Sequence, residues 1–184
     1  MFAVTFTTRR KLMQPIFILI RGNSGSGKST LATSLQEYFG YQQCLLLHED
    51  ILRLDILHAK ENISGPTASL IELMTILGGE YYPITILEGI LPKSIYEPTL
   101  TKLIHRFGSG AYVYYLDVPF AQTLINNSQK QNPFPTEVLQ KWWLEDDTLD
   151  TLGINERKLT NGTVSELTKQ ILSDIQIGTN KKDD

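Results

Sequence analysis

The hydrophobic positions of this chain form short continuous runs, separated by longer amphipathic stretches. Four of the runs predict strands that are buried on both faces, because a strand covered on both sides shows no polar alternation. They comprise residues 16–20, 44–47, 84–87 and 111–118. Strands of this kind are typical of a parallel sheet with helices on either side.

The stretches between these runs have helical periodicity. Apolar residues recur at a spacing of four over 31–39, and Gly40 follows as a typical residue beyond a helix C-terminus. A second helix is predicted around 70–77 and is expected to end at the glycine pair 78–79. A third helix is predicted over 94–107, since the glycine that follows would stop it.

A capping-box pattern at 163–166 predicts the start of a last amphipathic helix. Strands that alternate with helices indicate βαβ units, and hence an α/β fold: a three-layer α/β/α sandwich around a parallel sheet. We therefore expect a single domain over residues 14–177, followed by a polar, disordered tail over 178–184.

Composition narrows the classes of partner. The chain has 184 residues, a net charge of -3 and no long basic run, so a small-molecule substrate is favoured over nucleic acid. No apolar stretch approaches the roughly 20 residues that a membrane span needs. Cys44, the only cysteine, lies within a predicted strand, so we expect a buried thiol, no internal disulfide and a cytoplasmic protein.

Residues 1–13 are interpreted as an extension before the domain. Arg9, Arg10 and Lys11 precede apolar residues as in a signal peptide, but the apolar run continues without a cleavage site, so secretion is not predicted. Met13 is an alternative translation start, since an Arg-Arg pair is what a bacterial ribosome-binding sequence would encode at this distance upstream.

The loop between the first strand and the first helix carries the most specific pattern in the chain. Residues 22–29 match G-x4-G-K-[ST] in the context of a strand before and a helix after. Such a loop turns backbone N–H groups toward phosphate oxygens, while Lys28 faces the β- and γ-phosphates of ATP and the Ser29 hydroxyl faces Mg²⁺. The predicted cofactor-binding residues are Asn23, Ser24, Gly25, Ser26, Gly27, Lys28, Ser29 and Thr30, with Ser29 as the metal ligand.

Two short strings superficially indicate a GTPase instead. Residues 180–183 fit N-K-x-D, but no strand precedes them, and residues 150–153 fit D-x-x-G, but they follow a helix-like segment. Because both strings stand in the wrong structural context, we interpret them as coincidences.

Charged residues follow the predicted strands at their carboxyl ends, where ligands bind in open α/β sheets. Asp50 is the first candidate for the carboxylate that accepts the proton of an acceptor hydroxyl. Arg53, three residues later on the same helical face, would hold an anionic substrate group or the transferring phosphoryl. Glu88 is expected to hold Mg²⁺ through water or to bind the substrate. Helix capping is the alternative for Asp50 and Glu88, and is favoured for Asp117.

Taken in order, these residues resemble a family of small bacterial P-loop kinases related to zeta toxins, chloramphenicol phosphotransferase and adenylate-kinase-like enzymes, some of them provisionally labelled uridine kinase. The resemblance spans 16–175 and rests on residues 21–30, Glu49-Asp50 with Arg53, 87–91, 114–120, Trp142-Trp143, Asp146-Asp147 and Glu156. It implies ATP-dependent phosphorylation of a hydroxyl, with Asp50 as base, Arg53 near the substrate and a mobile lid around 119–147.

The sequence departs from the family in the lid. The helix after the fourth strand carries phosphate-closing arginines in relatives, but residues 121–132 contain none. An arginine on the transferring phosphoryl is worth roughly 10³–10⁵ in rate. Lys130 is a candidate replacement, although it lacks the bidentate fork of arginine, and Arg106 and Arg157 are candidates from elsewhere in the chain. Weak or lost catalysis with ATP binding retained is the other interpretation.

The resulting hypothesis is a Mg²⁺- and ATP-dependent kinase of a small hydroxylated molecule, with nucleosides among the candidate acceptors. Lys28, Asp50 and Arg53 are its predicted catalytic residues, and Asp50, Arg53 and Glu88 its predicted substrate-binding residues. A nucleotide-binding regulator without phosphotransfer and a zeta-toxin-like kinase of nucleotide-sugars stay open. A monomer or a homodimer is expected, without a nucleic-acid or membrane partner.

Overall fold

The computed structural model describes residues 14–63, 65–149, 153–160 and 162–180. The proposed extension over 1–13 lies outside these ranges. So do residues 150–152 of the D-x-x-G string and residues 181–183 of the N-K-x-D string.

A five-stranded parallel sheet in the order β2-β3-β1-β4-β5 forms the middle layer. Its strands are β1 (Ile16–Gly22), β2 (Cys44–His48), β3 (Ile84–Glu88), β4 (Ala111–Leu116) and β5 (Glu156–Leu159). The four apolar runs are confirmed as the first four strands. Because all strands are parallel and β1 is central, the carboxyl ends of β1, β2 and β3 meet at one edge of the sheet.

The fifth strand was not predicted. β5 has the sequence Glu-Arg-Lys-Leu and lies at the edge of the sheet beside β4, with Arg157 and Lys158 exposed and Glu156 and Leu159 buried. A strand with three charged residues in four has no apolar run to detect. It is held by its pairing with β4 and by a buried partner for Glu156, described below.

Six α-helices within the described ranges cover the sheet. They are α1 (Lys28–Phe39), α2 (Pro66–Tyr81), α3 (Lys93–Phe107), α4 (Phe120–Ser128), α5 (Thr136–Lys141) and α6 (Val164–Asn180). A π-helical turn (Ile51–Ile56) follows β2, and a 3₁₀ turn (Gly108–Gly110) precedes β4. Single π-helical turns are frequent at functional sites, and this one carries Arg53.

The prediction that α2 ends at Gly78-Gly79 was wrong, since the helix continues to Tyr81. A Cβ at position 78 would lie 2.4 Å from Thr85 Oγ1, and one at position 79 would lie 2.8 Å from Phe107 Cζ. These glycines therefore allow α2 to approach β3 and α3 closely, and they do not terminate the helix.

The last helix begins as predicted. The N–H of Thr163 donates to Glu166 Oε2 at 2.7 Å, and the N–H of Glu166 donates to Thr163 Oγ1 at 3.3 Å. These two bonds form the reciprocal capping box. At its other end α6 continues to Asn180, beyond the boundary predicted at 178.

The core lies on both faces of the sheet. One apolar cluster packs the sheet against α2 and α3, and the other packs it against α1 and α6. Cys44 belongs to the second cluster, so the prediction of a buried thiol is confirmed, and burial raises the pKa of this thiol to about 12. Within the described ranges, no helix has the length and apolarity that crossing a membrane requires.

Candidate active site

The glycine-rich loop connects β1 to α1 in a conformation that only glycine adopts easily. Gly25 and Gly27 have φ values of 79° and 98°, in the left-handed region that L side chains rarely occupy. A Cβ at position 25 would also lie 2.7 Å from the carbonyl oxygen of Thr123 in α4. Backbone conformation and close approach therefore both require this glycine.

Two polar groups of the loop are buried with few hydrogen-bond partners. Lys28 is only 7% exposed, and its ammonium donates to the backbone carbonyl of Asn23 at 2.9 Å. Burial lowers the pKa of Lys28, and the neighbouring Glu88 and Asp50 carboxylates oppose that shift. Ser26 Oγ is buried and has no hydrogen-bond partner among the described residues. A buried cation and an unsatisfied hydroxyl on a glycine cradle are the groups that a triphosphate would satisfy, so the loop fits this ligand.

Ser29 and Glu88 lie together at the start of α1. The Ser29 hydroxyl donates to Glu88 Oε1 at 3.0 Å, and the same carboxylate oxygen lies 2.6 Å from His48 Nδ1. The hydrogen bond to Glu88 raises the pKa of His48. A hydroxyl and a carboxylate beside a phosphate loop are typical Mg²⁺ ligands, direct or through water.

In the part of the chain that the structure describes, no group of three or more His, Cys, Asp or Glu side chains is placed to hold a metal ion. A Mg²⁺ ion beside Ser29 would therefore take its other ligands from phosphate oxygens and water. The contact between Glu88 and Ser29 favours a metal-side role for Glu88 over binding of the substrate.

A cleft of about 600 Å³ joins these groups. Its floor is residues 24–31 of the loop and helix start, and Asp50 and Glu88 lie in its wall. Lys130 and Phe134 line it from the side of α4 and α5. The structure thus brings Lys28, Ser29, Asp50 and Glu88 to one cleft, although they come from three separate strand ends.

The Arg53 guanidinium is held by two acidic side chains. Its Nε donates to Glu49 Oε1 at 2.6 Å, and its Nη2 donates to Asp50 Oδ1 at 2.7 Å. The Glu49 carboxyl also accepts a bond from the Tyr96 hydroxyl at 3.2 Å, and burial raises the pKa of Glu49 to about 7. The Asp50 carboxylate is 64% exposed and faces the cleft. This geometry leaves Asp50 accessible to a ligand in the cleft, whereas Arg53 is hydrogen-bonded to two carboxylates of the protein.

Asn23 was predicted to bind the nucleotide, but its side chain is directed elsewhere. Its Nδ2 donates to the carbonyl of Leu144 at 2.8 Å, and the N–H of Leu144 donates to Asn23 Oδ1 at 2.9 Å. The side chain therefore fastens the segment after α5 to the loop, and only the backbone of Asn23 remains for phosphate.

Arg21 was not among the predicted site residues, although it is fully buried immediately before the loop. Its guanidinium donates to Glu156 Oε1 at 3.0 Å, to Asp147 Oδ2 at 2.7 Å and to the carbonyl of Leu91 at 2.9 Å. Leu91 is buried with a φ of 46°, a conformation that is strained for a leucine. Arg21 thus joins β1, β5, the turn after β3 and the segment after α5. The only sequence signal was that Arg21, Asp147 and Glu156 occur together in the family resemblance.

The arginine-free segment forms α4, which contacts the loop through an amide. Asn126 Nδ2 donates to the carbonyl of Gly25 at 2.8 Å.

The arginine candidates from elsewhere lie away from the cleft: Arg157 is paired with Asp174, and Arg106 lies 3.9 Å from Glu80. Lys130 is the remaining candidate cation, since it lines the cleft and is close enough to Lys28 to lower the pKa of Lys28.

The two tryptophans pack edge-to-face against other rings and do not line this cleft. Trp143 contacts Phe120 at a centroid distance of 5.0 Å, and Trp142 contacts Phe134 at 5.1 Å. The aromatic residue that lines the cleft is Phe134, whose ring lies 5.4 Å from the Lys130 ammonium.

Comparison with known proteins agrees with this arrangement. The family model described as zeta toxin matches residues 3–71, which include the phosphate loop, Asp50 and Arg53. No curated protein sequence matches. The resemblance to small P-loop kinases related to zeta toxin is therefore confirmed.

Solved structures of several kinases share the fold. A gluconokinase from Sinorhizobium meliloti aligns with 92% of this chain and 97% of its own at 16% identity, with a TM-score of 0.67. An APS kinase from Mycobacterium tuberculosis aligns over 87% and 96% at 15% identity, with a TM-score of 0.64. A shikimate kinase from Acinetobacter baumannii aligns over 88% and 93% at 17% identity, with a TM-score of 0.58. These structures show that the fold is a three-layer α/β/α P-loop fold, as predicted.

Proposed function

We propose that this protein is an ATP-dependent phosphotransferase that phosphorylates a hydroxyl group of a small molecule. The observation that carries the proposal is the shared cleft: Lys28, on a loop shaped for a triphosphate, and Asp50, an accessible carboxylate, line the same space. A phosphate cradle alone indicates nucleotide binding. A carboxylate facing it supplies the proton acceptor that phosphoryl transfer to a hydroxyl uses.

The residues of the cleft have separate roles in this reaction. Lys28 and the loop N–H groups hold the β- and γ-phosphates, and Asp50 orients the acceptor hydroxyl and takes its proton. The hydroxyl oxygen forms a bond to the γ-phosphorus while the bond from that phosphorus to the β-phosphate oxygen breaks, so ADP leaves. Bound Mg²⁺ would neutralise phosphate charge, and Ser29 and Glu88 are the residues that would hold it.

The base and sugar of the nucleotide have space at the other end of the cleft. There the wall is formed by residues 162–164 and Leu167 at the start of α6, and a smaller cavity of about 370 Å³ continues past Pro119 and Gln122. Val164 and Leu167 offer apolar surface of the kind that a purine ring covers. Loop and apolar wall together match the two ends of ATP.

The proposal is tested by measuring ADP formation with a panel of hydroxylated acceptors, together with thermal unfolding in the presence of Mg²⁺ and a non-hydrolysable ATP analogue. At 100 times its Kd the analogue should add about 2.7 kcal/mol to the free energy of unfolding. We expect both nucleotide stabilisation and acceptor-dependent ADP formation. Stabilisation without acceptor-dependent ADP formation would instead support the regulator that binds nucleotide without transfer, an alternative favoured by the lack of arginine on α4.

Replacing Lys130 with alanine tests whether this residue acts as the lid cation. Its ammonium is the only one from α4, α5 or their connection that lines the described cleft. Since lysine is a point charge without the bidentate geometry of arginine, we expect kcat to fall by roughly 10–10²-fold, below the 10³–10⁵ of an arginine finger. The measurement is the steady-state rate of ADP formation at saturating ATP.

Lys141→Ala is the matched control for that variant. Lys141 ends α5, is exposed and does not line the cleft, so its removal should leave kcat unchanged. Equal rates for both variants would eliminate Lys130 as the closing cation.

A further inference from the structure

The charge distribution around Asp50 bears on which acceptors the cleft admits. Arg53 is the cation closest to Asp50 on the acceptor side, and two of its three nitrogens already donate to carboxylates of the protein. Nε is bound to Glu49 and Nη2 to Asp50, at 2.6 and 2.7 Å. An anionic acceptor would have to compete with two carboxylates of the protein for this guanidinium.

Releasing Arg53 to an acceptor would be costly because of Glu49. That residue is 1% exposed, and its carboxylate accepts hydrogen bonds from Arg53 and from the Tyr96 hydroxyl. A buried carboxylate that loses its cation must take up a proton or remain an unpaired buried charge, since burial has already removed the water that would stabilise its charge. Arg53 is therefore the structural counter-ion of Glu49, and its positive charge is already balanced by carboxylates of the protein before an acceptor binds.

The surroundings add negative rather than positive charge. Glu61, an exposed residue in the connection between the π-helical turn and α2, is near enough to Asp50 and Arg53 to interact with both electrostatically. Lys60 and Glu61 line the same outer cavity next to Ile95. Glu49, Asp50 and Glu61 thus outnumber Arg53 and Lys60. With Glu49 protonated the two signs are equal, so in neither state is there a surplus of positive charge.

Two further cations, Lys28 and Lys130, lie on the nucleotide side of the cleft. Lys28 and Lys130 face the space assigned to the triphosphate. An anion in the acceptor position would thus meet repulsion from Asp50 and Glu61, and the two lysines would already be screened by the phosphates of ATP.

We propose that the acceptor is a hydroxyl compound without net negative charge, such as a sugar, polyol, amino sugar or nucleoside, and that carboxylate, phosphate and sulfate acceptors are rejected. This inference rests on the proposed phosphotransfer function and specifies its substrate class. It separates this protein from the fold relatives named above, because gluconate, adenylylsulfate and shikimate are all anions.

Matched acceptor pairs test the inference. Each pair has the same hydroxyl-bearing framework with and without an anion: glucose with gluconate, and uridine with uridine 5′-monophosphate, with glucosamine as a cationic member. Acceptor-dependent ADP formation gives kcat/KM for each compound. We expect the uncharged or cationic member to exceed the anionic member by at least about tenfold in every pair that is turned over.

A charge variant supplies an independent readout of the same inference. Glu61→Gln removes one negative charge while keeping the side-chain shape, so kcat/KM for the anionic member should rise roughly three- to tenfold relative to the neutral one. Glu80→Gln, at the far end of α2, is the control and should not change the ratio.

The possible outcomes distinguish failure of the substrate-class inference from failure of the proposed phosphotransfer function. Preferential turnover of the anionic members would overturn the inference and leave phosphotransfer intact. The inference would also be overturned by an acceptor ratio that is the same for Glu61→Gln and the unaltered protein. Stabilisation by the ATP analogue without turnover of any acceptor would overturn the proposed function, and this inference with it.

Discussion

Replacement of Lys28 by methionine is expected to lower ATP turnover by about 10²–10³-fold, the loss typical of removing one preorganised electrostatic contact to the transition state. The side chain is buried, so its charge acts on the phosphates with little screening by water. Methionine keeps the length and apolar stem of lysine and removes the charge. The measurements are the rate of ADP formation and the stabilisation by a non-hydrolysable ATP analogue, and both should fall.

Lys169→Ala is a suitable control, because Lys169 is an exposed lysine on α6 that lines none of the cleft. It should retain full activity and nucleotide stabilisation. If Lys28→Met kept its turnover within about threefold of the unaltered protein, less than 1 kcal/mol on the barrier, the loop would not be the triphosphate site of this protein.

Asp50→Asn is expected to lower kcat by about 10²–10⁴-fold, the usual contribution of a positioned proton acceptor. Asparagine occupies the same volume and can still accept a hydrogen bond from Arg53, but it cannot take a proton from the acceptor hydroxyl. Nucleotide binding should be unaffected, because the phosphate contacts assigned to ATP come from Lys28 and the loop. Turnover and analogue stabilisation should therefore respond differently in this variant.

Asp55→Asn is the matched control, since Asp55 is an exposed aspartate on the same π-helical turn and does not line the cleft. It should behave as the unaltered protein. Full activity in Asp50→Asn would remove Asp50 as the base and leave its pairing with Arg53 as its role, since its side chain makes no capping hydrogen bond. Loss of analogue stabilisation together with turnover would show that Asp50 acts on nucleotide binding or folding instead.

The sequence alone was sufficient wherever the structure depends on short-range constraints. Four strands were predicted because each is a continuous apolar run, and the capping box because its donors and acceptors lie three residues apart. The phosphate loop was predictable for the same reason. Its function requires glycines, Lys28 and Ser29 at fixed spacing, and their meaning does not depend on distant residues.

Asp50 and Glu88 could be nominated because parallel strands bring their carboxyl ends to one edge. The pattern did not reveal what each side chain would contact. Glu88 was equally consistent with substrate or metal until its carboxylate was found against Ser29. Arg53 was predicted to hold a substrate anion because its spacing to Asp50 is visible in the sequence. Its hydrogen bond to Glu49, which also accepts a bond from the Tyr96 hydroxyl, is not visible there.

The remaining features were decided by contacts between residues far apart in the chain. Gly78 and Gly79 looked like a helix stop, but Thr85 and Phe107 require them for close packing. β5 is charged along most of its length and becomes a strand because Arg21, 135 residues earlier, neutralises its buried Glu156. Local sequence predicted where a triphosphate would bind, because the residues that such binding needs lie within nine consecutive positions. The tertiary structure decided which charges remain free to meet an acceptor, because burial and pairing depend on the whole fold.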